Sequence, residues 1–312
     1  MKSFRLTLAL IFSALLVNNA QATQYAWPEA DTRLVGENPV HVVQQGEHLE
    51  KIAKQYNVGF LALLSANPGV DPYLPKAGSF VTIPQQLLLP EVDYDGIVIN
   101  LAELRLYYFD KAAKEIYIFP IGIGRIGRDT PIMTTKISQK RENPTWTPPQ
   151  SIRKEYLETK NIVLPDVVPA GPENPLGLHA LRLAYGTGTY LIHGTNKDFG
   201  IGLRVSSGCI RMRPSDIAWL FNRVRVGEKV RVINQPVKTS FEPDGAVYVE
   251  VHRPLSADES QAGQRLLTQP DARVSTWLTS NHMNERRYRA ALAIQSGMPI
   301  EMGQQILADN DI

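Results

Sequence analysis

The chain has 312 residues, of which 43% are hydrophobic, 8% aromatic and 21% charged, a composition typical of globular proteins and not of disordered or collagen-like chains. A single core would be near its practical limit at this length, so we expect about two or three structural units. The 33 basic and 31 acidic side chains leave a net charge of +2. This balance argues against nucleic acid as a main partner, because such binding relies on clustered Lys and Arg.

Residues 1–22 have the organisation of a secretory signal peptide. Lys2 and Arg5 precede an apolar stretch from residue 6 to residue 17, which is shorter than the roughly 20 residues that span a bilayer. Ala20 and Ala22 form the small-x-small pattern that predicts cleavage after Ala22. A buried amino-terminal helix is the alternative. No later stretch resembles a membrane span, so we expect a soluble exported protein without a transmembrane segment.

Residues 39–84 predict a small α+β unit. A strand, two helices and a closing strand follow one another at 40–43, 49–56, 60–66 and 80–83. This order and the phrases HVVQQGEHLEKIAKQYNV and LLSANPGVDPYLPKAGSFVTIP resemble the LysM module. The resemblance implies binding to the N-acetylglucosamine chains of peptidoglycan or chitin, although Gly46-Glu47-His48 replaces the more usual Gly-Asp-Thr. The alternative is a folded spacer without a ligand.

From residue 96 to about residue 234 the pattern changes to β-strand. β-Branched and aromatic runs, typical of strands, occur at 97–100, 104–108, 115–119, 190–193 and 230–233. The intervening segment 143–175 is rich in proline, so it predicts an excursion over the surface and not a long helix. We therefore expect an α+β chain whose central domain is mostly β.

Residues 235–312 form a C-terminal extension. It contains a turn at 243–245, an alternating strand at 246–251, a polar linker at 256–271 and a helix near 285–295.

The sequence Gly122-Ile123-Gly124-Arg125-Ile126-Gly127 matches the G-x-G-x-x-G pattern of dinucleotide-binding loops. That pattern needs a helix that starts at the glycines and directs its amino terminus at a pyrophosphate. Asp129-Thr130-Pro131 follows instead. We conclude that these glycines permit tight turns between strands.

The only cysteine, Cys209, lies 16 positions after His193, which ends a predicted strand. Glycines at 194, 200, 202 and 208 allow the chain to fold back and bring thiol and imidazole together. A cysteine nucleophile requires this pair, because the thiolate attacks while the imidazole takes or returns the proton. The alternatives are an inert buried thiol and a hydrogen-bonded core histidine.

Several features after Cys209 predict a lowered thiol pKa. Apolar residues at 217, 220, 221 and 224 recur at helical spacing after Pro214, which places the cysteine just ahead of a helix amino terminus. Arg204, Arg211 and Arg213 lie close in sequence, although a solvated basic face is the alternative reading. The N–H groups of Gly208 and Cys209 are candidate donors to an oxyanion.

The same residues are similar to the L,D-transpeptidase catalytic domain, called YkuD-like, whose signature is His-Gly, a spacer and Ser/Thr-x-Gly-Cys. His193-Gly194 and Ser206-Ser207-Gly208-Cys209 match it, and the blocks PIGIGRIGRDTP, NPTWTPP, VPAGPENPLG and GIGLRVSSGCIRM occur in order between residues 96 and 234. With a LysM module ahead, the chain looks most like the periplasmic Gram-negative branch of the family. The resemblance implies a sandwich-like β domain and a periplasmic location.

By this resemblance Cys209 is the nucleophile and His193 the proton acceptor and donor. The carbonyl of Gly194 orients the imidazole, and main-chain groups at Gly208 and Cys209 hold the oxyanion. Many members have His where Ser207 stands and Asn where Arg211 stands. We expect substrate-binding roles for three side chains, Ser207, Arg211 and Arg204.

Such enzymes act on the tetrapeptide stems of peptidoglycan, where the cysteine attacks the carbonyl of the third residue, a diamino acid, and releases D-Ala. The acceptor amine belongs either to another stem, which gives a 3-3 cross-link, or to the terminal lysine of an outer-membrane lipoprotein. The alternatives are an L,D-carboxypeptidase or amidase with the same site and a non-catalytic peptidoglycan-binding protein.

We expect no cofactor and no metal. A zinc peptidase of the cell wall is disfavoured because the six histidines, at 41, 48, 179, 193, 252 and 282, form neither the H-E-x-x-H nor the H-x-x-E-H spacing.

Overall fold

The computed structural model describes residues 22–305 apart from residues 30, 187, 198, 262, 263, 265 and 281–284. The predicted signal peptide therefore lies outside the described residues, except for Ala22. Within the described ranges, no helix is long and apolar enough to cross a membrane.

The N-terminal part of the chain contains short elements around one small core. They are β1 (Thr23–Ala26), β2 (Leu34–Val35), β3 (Val40–Val42), α1 (Leu49–Gln55), α2 (Phe60–Ala66), β4 (Phe80–Thr82) and β5 (Leu87–Leu88). β3 pairs antiparallel with β4, and both helices pack on them around Leu49, Ile52 and Leu63. The predicted βααβ order of the LysM unit is confirmed.

The departure from the usual LysM sequence is accommodated locally. Nδ1 of His48 accepts a hydrogen bond from the N–H of Lys51 at 3.2 Å and so caps α1. Glu47 is buried, and its Oε2 lies 2.8 Å from Nε2 of His41 and 2.9 Å from the N–H of Gln44. Within Gly46-Glu47-His48, His48 therefore caps the helix, and Glu47 ties the turn before it to β3 and Gln44.

The central part of the chain is mostly β. Its elements are β6 (Gly96–Asn100), a 3-10 turn (Leu101–Glu103), β7 (Arg105–Asp110), β8 (Glu115–Pro120), β9 (Ile123–Gly124), β10 (Met133–Glu142), α3 (Gln150–Lys160), β11 (His179–Leu183), β12 (Leu191–His193), β13 (Arg204–Ser206), β14 (Ile210–Arg211), α4 (Pro214–Arg223) and β15 (Lys229–Ile233). Nine strands form one sheet in the order β1-β8-β7-β6-β15-β10-β11-β12-β14. The predicted mostly β domain is confirmed.

The strands β6, β7 and β8 of this sheet are buried on both faces, which explains why they read as continuous apolar runs. In β6, Ile97 and Ile99 face a core that includes Ile217 and Leu220 of α4, whereas Val98 faces a second core with Leu87 and Leu89. A short parallel pair, β9 and β13, lies outside the large sheet.

One helix was not expected. α3 occupies 150–160, within the proline-rich segment that predicted a surface excursion. Pro149 caps the helix and the next proline is Pro165, so every proline of the segment lies outside α3. The excursion is real, because α3 buries none of its side chains, but part of it is helical.

The C-terminal part folds around a core of its own. Its elements are β16 (Val237–Phe241), β17 (Ala246–Val251), a 3-10 turn (Glu259–Gln261), α5 (Ala272–Ser280), α6 (Arg286–Ile294) and β18 (Pro299–Gln304). β16, β17 and β18 form a three-stranded sheet, and Val274, Trp277 and Tyr288 pack against it. The expected strand and second helix are present, and α5 was missed because it follows a polar stretch.

A buried ion cluster joins the C-terminal sheet to the central domain. Nζ of Lys238, on β16, lies 2.9 Å from Oε2 of Glu103 and 3.0 Å from Oε1 of Glu250. Arg105 reaches the same two carboxylates at 2.9 and 3.1 Å, and Nε2 of His252 lies 2.6 Å from Oε1 of Glu250. All five residues are buried, so the domains share one charge-compensated core.

The LysM unit also contacts the central domain closely. Gly202, with φ of +78°, lies against Gly59 at the start of α2, and a Cβ at Gly202 would be 2.6 Å from the Cα of Gly59. Arg213 donates through its guanidinium to Oδ1 of Asn57 and to the carbonyl of Val58. Glycine is required at this contact because a side chain would separate the two units.

Candidate active site

The sheet edge brings His193 and Cys209 onto neighbouring strands. β12 pairs parallel with β14, with Ile192 opposite Ile210 and His193 opposite Arg211. Cys209 directly precedes β14, where Sγ lies 3.7 Å from the carbonyl oxygen of Thr189. Cys209 therefore lies two residues before the position opposite His193, and its thiol donates to the carbonyl of Thr189.

The imidazole of His193 is buried and fixed by main-chain groups. Nδ1 lies 2.5 Å from the carbonyl oxygen of Gly194, and a second main-chain hydrogen bond joins the ring to Leu176. Burial lowers the pKa of His193 to about 4, and the positive charge of Arg211 acts in the same direction. At neutral pH the ring is therefore uncharged and able to accept a proton.

Asn174 explains how Leu176 reaches this histidine. Its side chain is fully buried and donates to the carbonyls of Pro144 and Pro169 at 2.8 and 3.0 Å. Its Oδ1 accepts from the N–H of Leu176 at 2.9 Å. Asn174 thus ties both ends of the proline-rich segment together beside the imidazole, a role that sequence analysis did not identify.

The thiol of Cys209 differs from the prediction. Burial raises the pKa of this thiol, and a main-chain hydrogen bond from Leu191 and the charge of Arg211 oppose the rise without reversing it. The expected lowering was wrong because burial outweighs the favourable charge. At neutral pH both groups are therefore uncharged, the thiol because its pKa is raised and the imidazole because its pKa is lowered.

The three arginines predicted to surround the thiol have different partners in the structure. Of the three arginines, only Arg211 acts on the thiol. Arg204 pairs with Asp129 at 2.7 Å, and Arg213 points to the LysM unit. The predicted helix start is confirmed, because α4 begins at Pro214, five positions after Cys209, with the short strand β14 between them.

Two hydroxyl groups hold the loop that carries the cysteine. Oγ1 of Thr130 accepts from the N–H of Gly124 and donates to the carbonyl of Gly208, both at 3.0 Å. Oγ of Ser206 donates to the carbonyl of Cys209 at 2.5 Å. Gly208 has φ of +99°, a conformation that favours glycine. Thr130 was not recognised from sequence, because its partners lie far along the chain.

The rejected glycine motif lies beside this loop, and no helix begins at it. Gly122 exchanges two main-chain hydrogen bonds of 2.8 Å with Arg211, and a Cβ there would lie 2.5 Å from the carbonyl oxygen of Gly200. A Cβ at Gly124 would lie 2.8 Å from the N–H nitrogen of Thr130. These glycines permit close approach of β9 to the cysteine loop, in addition to the turn at Gly127.

The helix α3 contacts the same loop through charged groups. Arg125 and Arg128, in the turn after β9, both bind Oε2 of Glu155, which Nη2 of Arg128 approaches to 2.9 Å. Nη1 of Arg128 donates to Oγ of Ser207 at 3.2 Å. Of the three predicted substrate-binding residues, Ser207 is exposed, and Arg204 forms an ion pair with Asp129. The charges of Arg211 and the Cys209 thiol influence each other.

One group of residues has the composition of a metal site. Ligand atoms of Glu103, Glu250 and His252 lie within 4.8 Å of one another. Lys238 and Arg105 already bind both carboxylates. This arrangement fits the ion cluster between domains better than a cation site, and it lies outside the Cys209 loop.

Comparison with known proteins matches three consecutive regions. Residues 41–84 match the LysM domain, 94–232 the L,D-transpeptidase catalytic domain (YkuD) and 236–302 the L,D-transpeptidase C-terminal domain. The third match gives the C-terminal extension a family assignment that sequence analysis did not make.

The chain is similar over most of its length to curated proteins of Escherichia coli K12. The probable L,D-transpeptidase YcfS is 52% identical over 286 residues, which cover 91% of this chain and 89% of the relative. The probable L,D-transpeptidase YbiS is 46% identical and covers 91% of this chain and 94% of the relative. ErfK/SrfK, with the same description, is 44% identical and covers 94% of both chains. From its site and these relatives, the chain belongs to the L,D-transpeptidase family of enzymes.

Proposed function

We propose that the mature protein acts in the periplasm on the tetrapeptide stems of peptidoglycan, with Cys209 as the nucleophile and His193 as the base. The observation that supports this proposal is that the only cysteine directly precedes the strand paired with that of His193, whose uncharged imidazole is anchored by main-chain groups. Export rests on the signal peptide predicted at residues 1–22.

Acylation starts from the neutral pair. The Cys209 thiol passes its proton to His193 as sulfur attacks the carbonyl of the diamino acid, the third residue of the stem. Nδ1 of His193 donates to the carbonyl of Gly194, so Nε2 is the nitrogen that accepts the proton. Main-chain N–H groups at Gly208 and Cys209 stabilise the oxyanion. The C–N bond to D-Ala then breaks, and His193 returns the proton to the leaving amine.

Deacylation transfers the acyl group to an amine. The acceptor amine attacks the thioester, loses a proton to His193 and forms an amide while Cys209 leaves as the thiol. An acceptor on a second stem gives a 3-3 cross-link, and the terminal lysine of an outer-membrane lipoprotein gives a tether to the wall. We assign glycan binding to the LysM unit, which holds the enzyme on its polymeric substrate.

The test supplies purified protein with tetrapeptide muropeptides and a peptide ending in the lipoprotein lysine, and the products are separated by mass. Cross-linked or lysine-linked products together with free D-Ala support the proposal, and their masses identify the acceptor. Tripeptide alone identifies an L,D-carboxypeptidase. Unchanged substrate, or D-Ala release by the Cys209→Ala variant, overturns the proposed mechanism.

A further inference from the structure

Two guanidinium groups next to the cysteine loop share one carboxylate oxygen. Arg125 and Arg128 both bind Oε2 of Glu155, and the hydrogen bond from Arg125 holds the pKa of this carboxyl below its usual value. The side chains of Arg125, Arg128 and Glu155 are 42%, 23% and 28% exposed. The three groups therefore form an ion cluster that a solvent-borne ligand can reach.

The cluster lies against the residues that precede the nucleophile. Arg125 donates its main-chain N–H to the carbonyl of Ser206 at 2.9 Å, and Arg128 donates from Nη1 to Oγ of Ser207 at 3.2 Å. A Cβ at Gly208 would lie 3.6 Å from the carbonyl oxygen of Arg128. Both guanidinium groups thus belong to a turn that packs on the cysteine loop itself.

The helix α3, which carries Glu155, is attached to the turn after β9 mainly by polar interactions. No side chain of α3 is fully buried: Leu157 is 51% exposed, Ile152 and Tyr156 are half-buried, and none of the three belongs to a hydrophobic core. Its contacts with the turn are the ion pairs of Glu155 and a 3.4 Å hydrogen bond from Arg128 to the carbonyl of Ser151, and Arg153 ties the helix to Pro148 and Asp166 through hydrogen bonds. A helix held in this way can be displaced by a competing anion without loss of core packing.

The arginines around the cysteine loop outnumber the carboxylates that pair with them. Asp129 neutralises Arg204, whereas one carboxylate, Glu155, serves two arginines. Arg211 adds a third positive charge, and its Nε is buried without a hydrogen-bond partner among the described residues. The site is therefore electropositive and suited to an anionic substrate.

We propose that Arg125 and Arg128 bind the terminal carboxylate of the donor stem, and that Glu155 occupies their place in the substrate-free enzyme as an intramolecular carboxylate. The inference rests on the proposed function, because the donor ends in D-Ala and this carboxylate lies one residue beyond the attacked carbonyl. Arg128 reaches this region through its contact with Ser207, two residues before Cys209. Binding of the donor displaces Glu155 and moves α3 away from the loop.

The first experiment measures the effect of the two arginines on the reactivity of Cys209 without a stem substrate. Because Cys209 is the only cysteine, its alkylation rates by anionic iodoacetate and neutral iodoacetamide can be compared directly. We expect Glu155→Gln to raise the iodoacetate-to-iodoacetamide ratio about threefold or more, and Arg128→Gln to lower it by a similar factor. Glu158→Gln on the same helix, and Arg153→Gln on the same segment, are matched controls and leave the ratio unchanged.

The second experiment uses two donors, a tetrapeptide stem ending in D-Ala and the same stem ending in D-alaninamide. The wild-type enzyme is expected to prefer the carboxylate donor about tenfold in kcat/KM, and Arg128→Gln to lose this preference by losing activity on that donor alone. Glu155→Gln is expected to lower the KM for the carboxylate donor severalfold, since the competing carboxylate is gone.

The outcomes separate the two proposals. Turnover of both donors at equal rates by the wild-type enzyme, or an alkylation ratio unaffected by Glu155→Gln and Arg128→Gln, overturns this inference and leaves the proposed function intact. Failure of the wild-type enzyme to release either D-Ala or D-alaninamide from the two donors overturns the proposed function. An adventitious ion pair that only anchors α3 predicts lower stability for Glu155→Gln with no change in the donor preference.

Discussion

The carbonyl oxygen of Gly194 lies 2.5 Å from Nδ1 of His193, the residue immediately before it in the chain. A contact between neighbours of this kind fixes the tautomer of the ring without help from an acidic side chain. The base of the proposed reaction is therefore oriented by the main chain of β12 and its continuation. Cys209 and Arg211 approach from the adjacent strand.

Replacement of Cys209 by Ala is expected to reduce D-Ala release by about a thousandfold or more, because no other thiol is present to form the thioester. The acyl-enzyme mass, seen by intact mass spectrometry after mixing with the tetrapeptide donor, should disappear. The far-ultraviolet circular dichroism should remain that of the wild type, since a small half-buried side chain is exchanged for a smaller one. A surviving adduct would contradict the assignment.

Replacement of His193 by Ala leaves the nucleophile in place and removes its proton acceptor. We expect acylation to slow by about a hundredfold to ten-thousandfold, the usual contribution of a positioned base. Stopped-flow or quenched-flow measurement of the first turnover separates this step from deacylation. An unchanged first turnover would show that the imidazole has no part in proton transfer.

The pH dependence should reflect an uncharged resting pair. Since the pKa of His193 is lowered to about 4, the ring becomes protonated and loses its function only as the pH falls through that value. The acylation rate is therefore expected to stay nearly level from about pH 6 to pH 8 and to fall near pH 4. A profile with its acidic limb near the usual histidine value of about 6.5 would contradict the effect of burial.

Arg211 lowers the pKa of both partners, so its removal should shift both in the same direction. In Arg211→Gln the acidic limb of the profile is expected to move above about pH 4, and alkylation of Cys209 by iodoacetamide at pH 8 should slow, because less thiolate is present. Arg204→Gln is the matched control, since its charge is taken up by Asp129. Equal shifts in both variants would indicate a general charge effect.

Thr130 is expected to act as a positioning residue. Thr130→Val keeps the shape but leaves the N–H of Gly124 and the carbonyl of Gly208 without their shared partner, at a cost of about 1–3 kcal/mol in the free energy of unfolding. Because Gly208 precedes the nucleophile, kcat should fall while the pH of the acidic limb stays constant. Thr135→Val, whose hydroxyl binds only the carbonyl of Ala184, is the control. A stability loss without a change in kcat would limit Thr130 to folding.

The ion cluster between domains gives a prediction about stability alone. Lys238→Met leaves Glu103 and Glu250 buried with less compensating charge, so the free energy of unfolding should fall by about 3–5 kcal/mol. Urea denaturation measures this value. The surface pair of Lys229 and Asp95, at 3.7 Å, provides the control, and Lys229→Met should cost no more than about 1 kcal/mol. Equal losses in the two variants would contradict the role of burial.

Much of the fold could be predicted because its signals are local. The helices of the LysM unit and α4 follow from apolar spacing, and the central strands follow from β-branched and aromatic runs. The helix α3 was missed because prolines were counted over a whole segment, whereas Pro149 and Pro165 border the helix without entering it. For a helix, the position of a proline matters more than its frequency.

The candidate site was predictable only in part for a different physical reason. His193 and Cys209 were found from their spacing and the glycines between them. Asn174, Thr130 and Glu155 were not, because each acts through partners that only the folded chain brings near. The direction of the thiol pKa also failed, since burial is a property of packing and outweighed the nearby arginine.

The contact between Gly59 and Gly202 fixes the distance between the LysM unit and the loop before Cys209. The two glycines allow the backbones of the LysM unit and of the spacer loop before Cys209 to touch, and Arg213 adds hydrogen bonds to the same unit. The LysM unit and the loop before Cys209 are therefore held together by a direct backbone contact. Under the proposed function, an insertion at either glycine changes the distance between the glycan held by the LysM unit and the stem peptide attacked by Cys209.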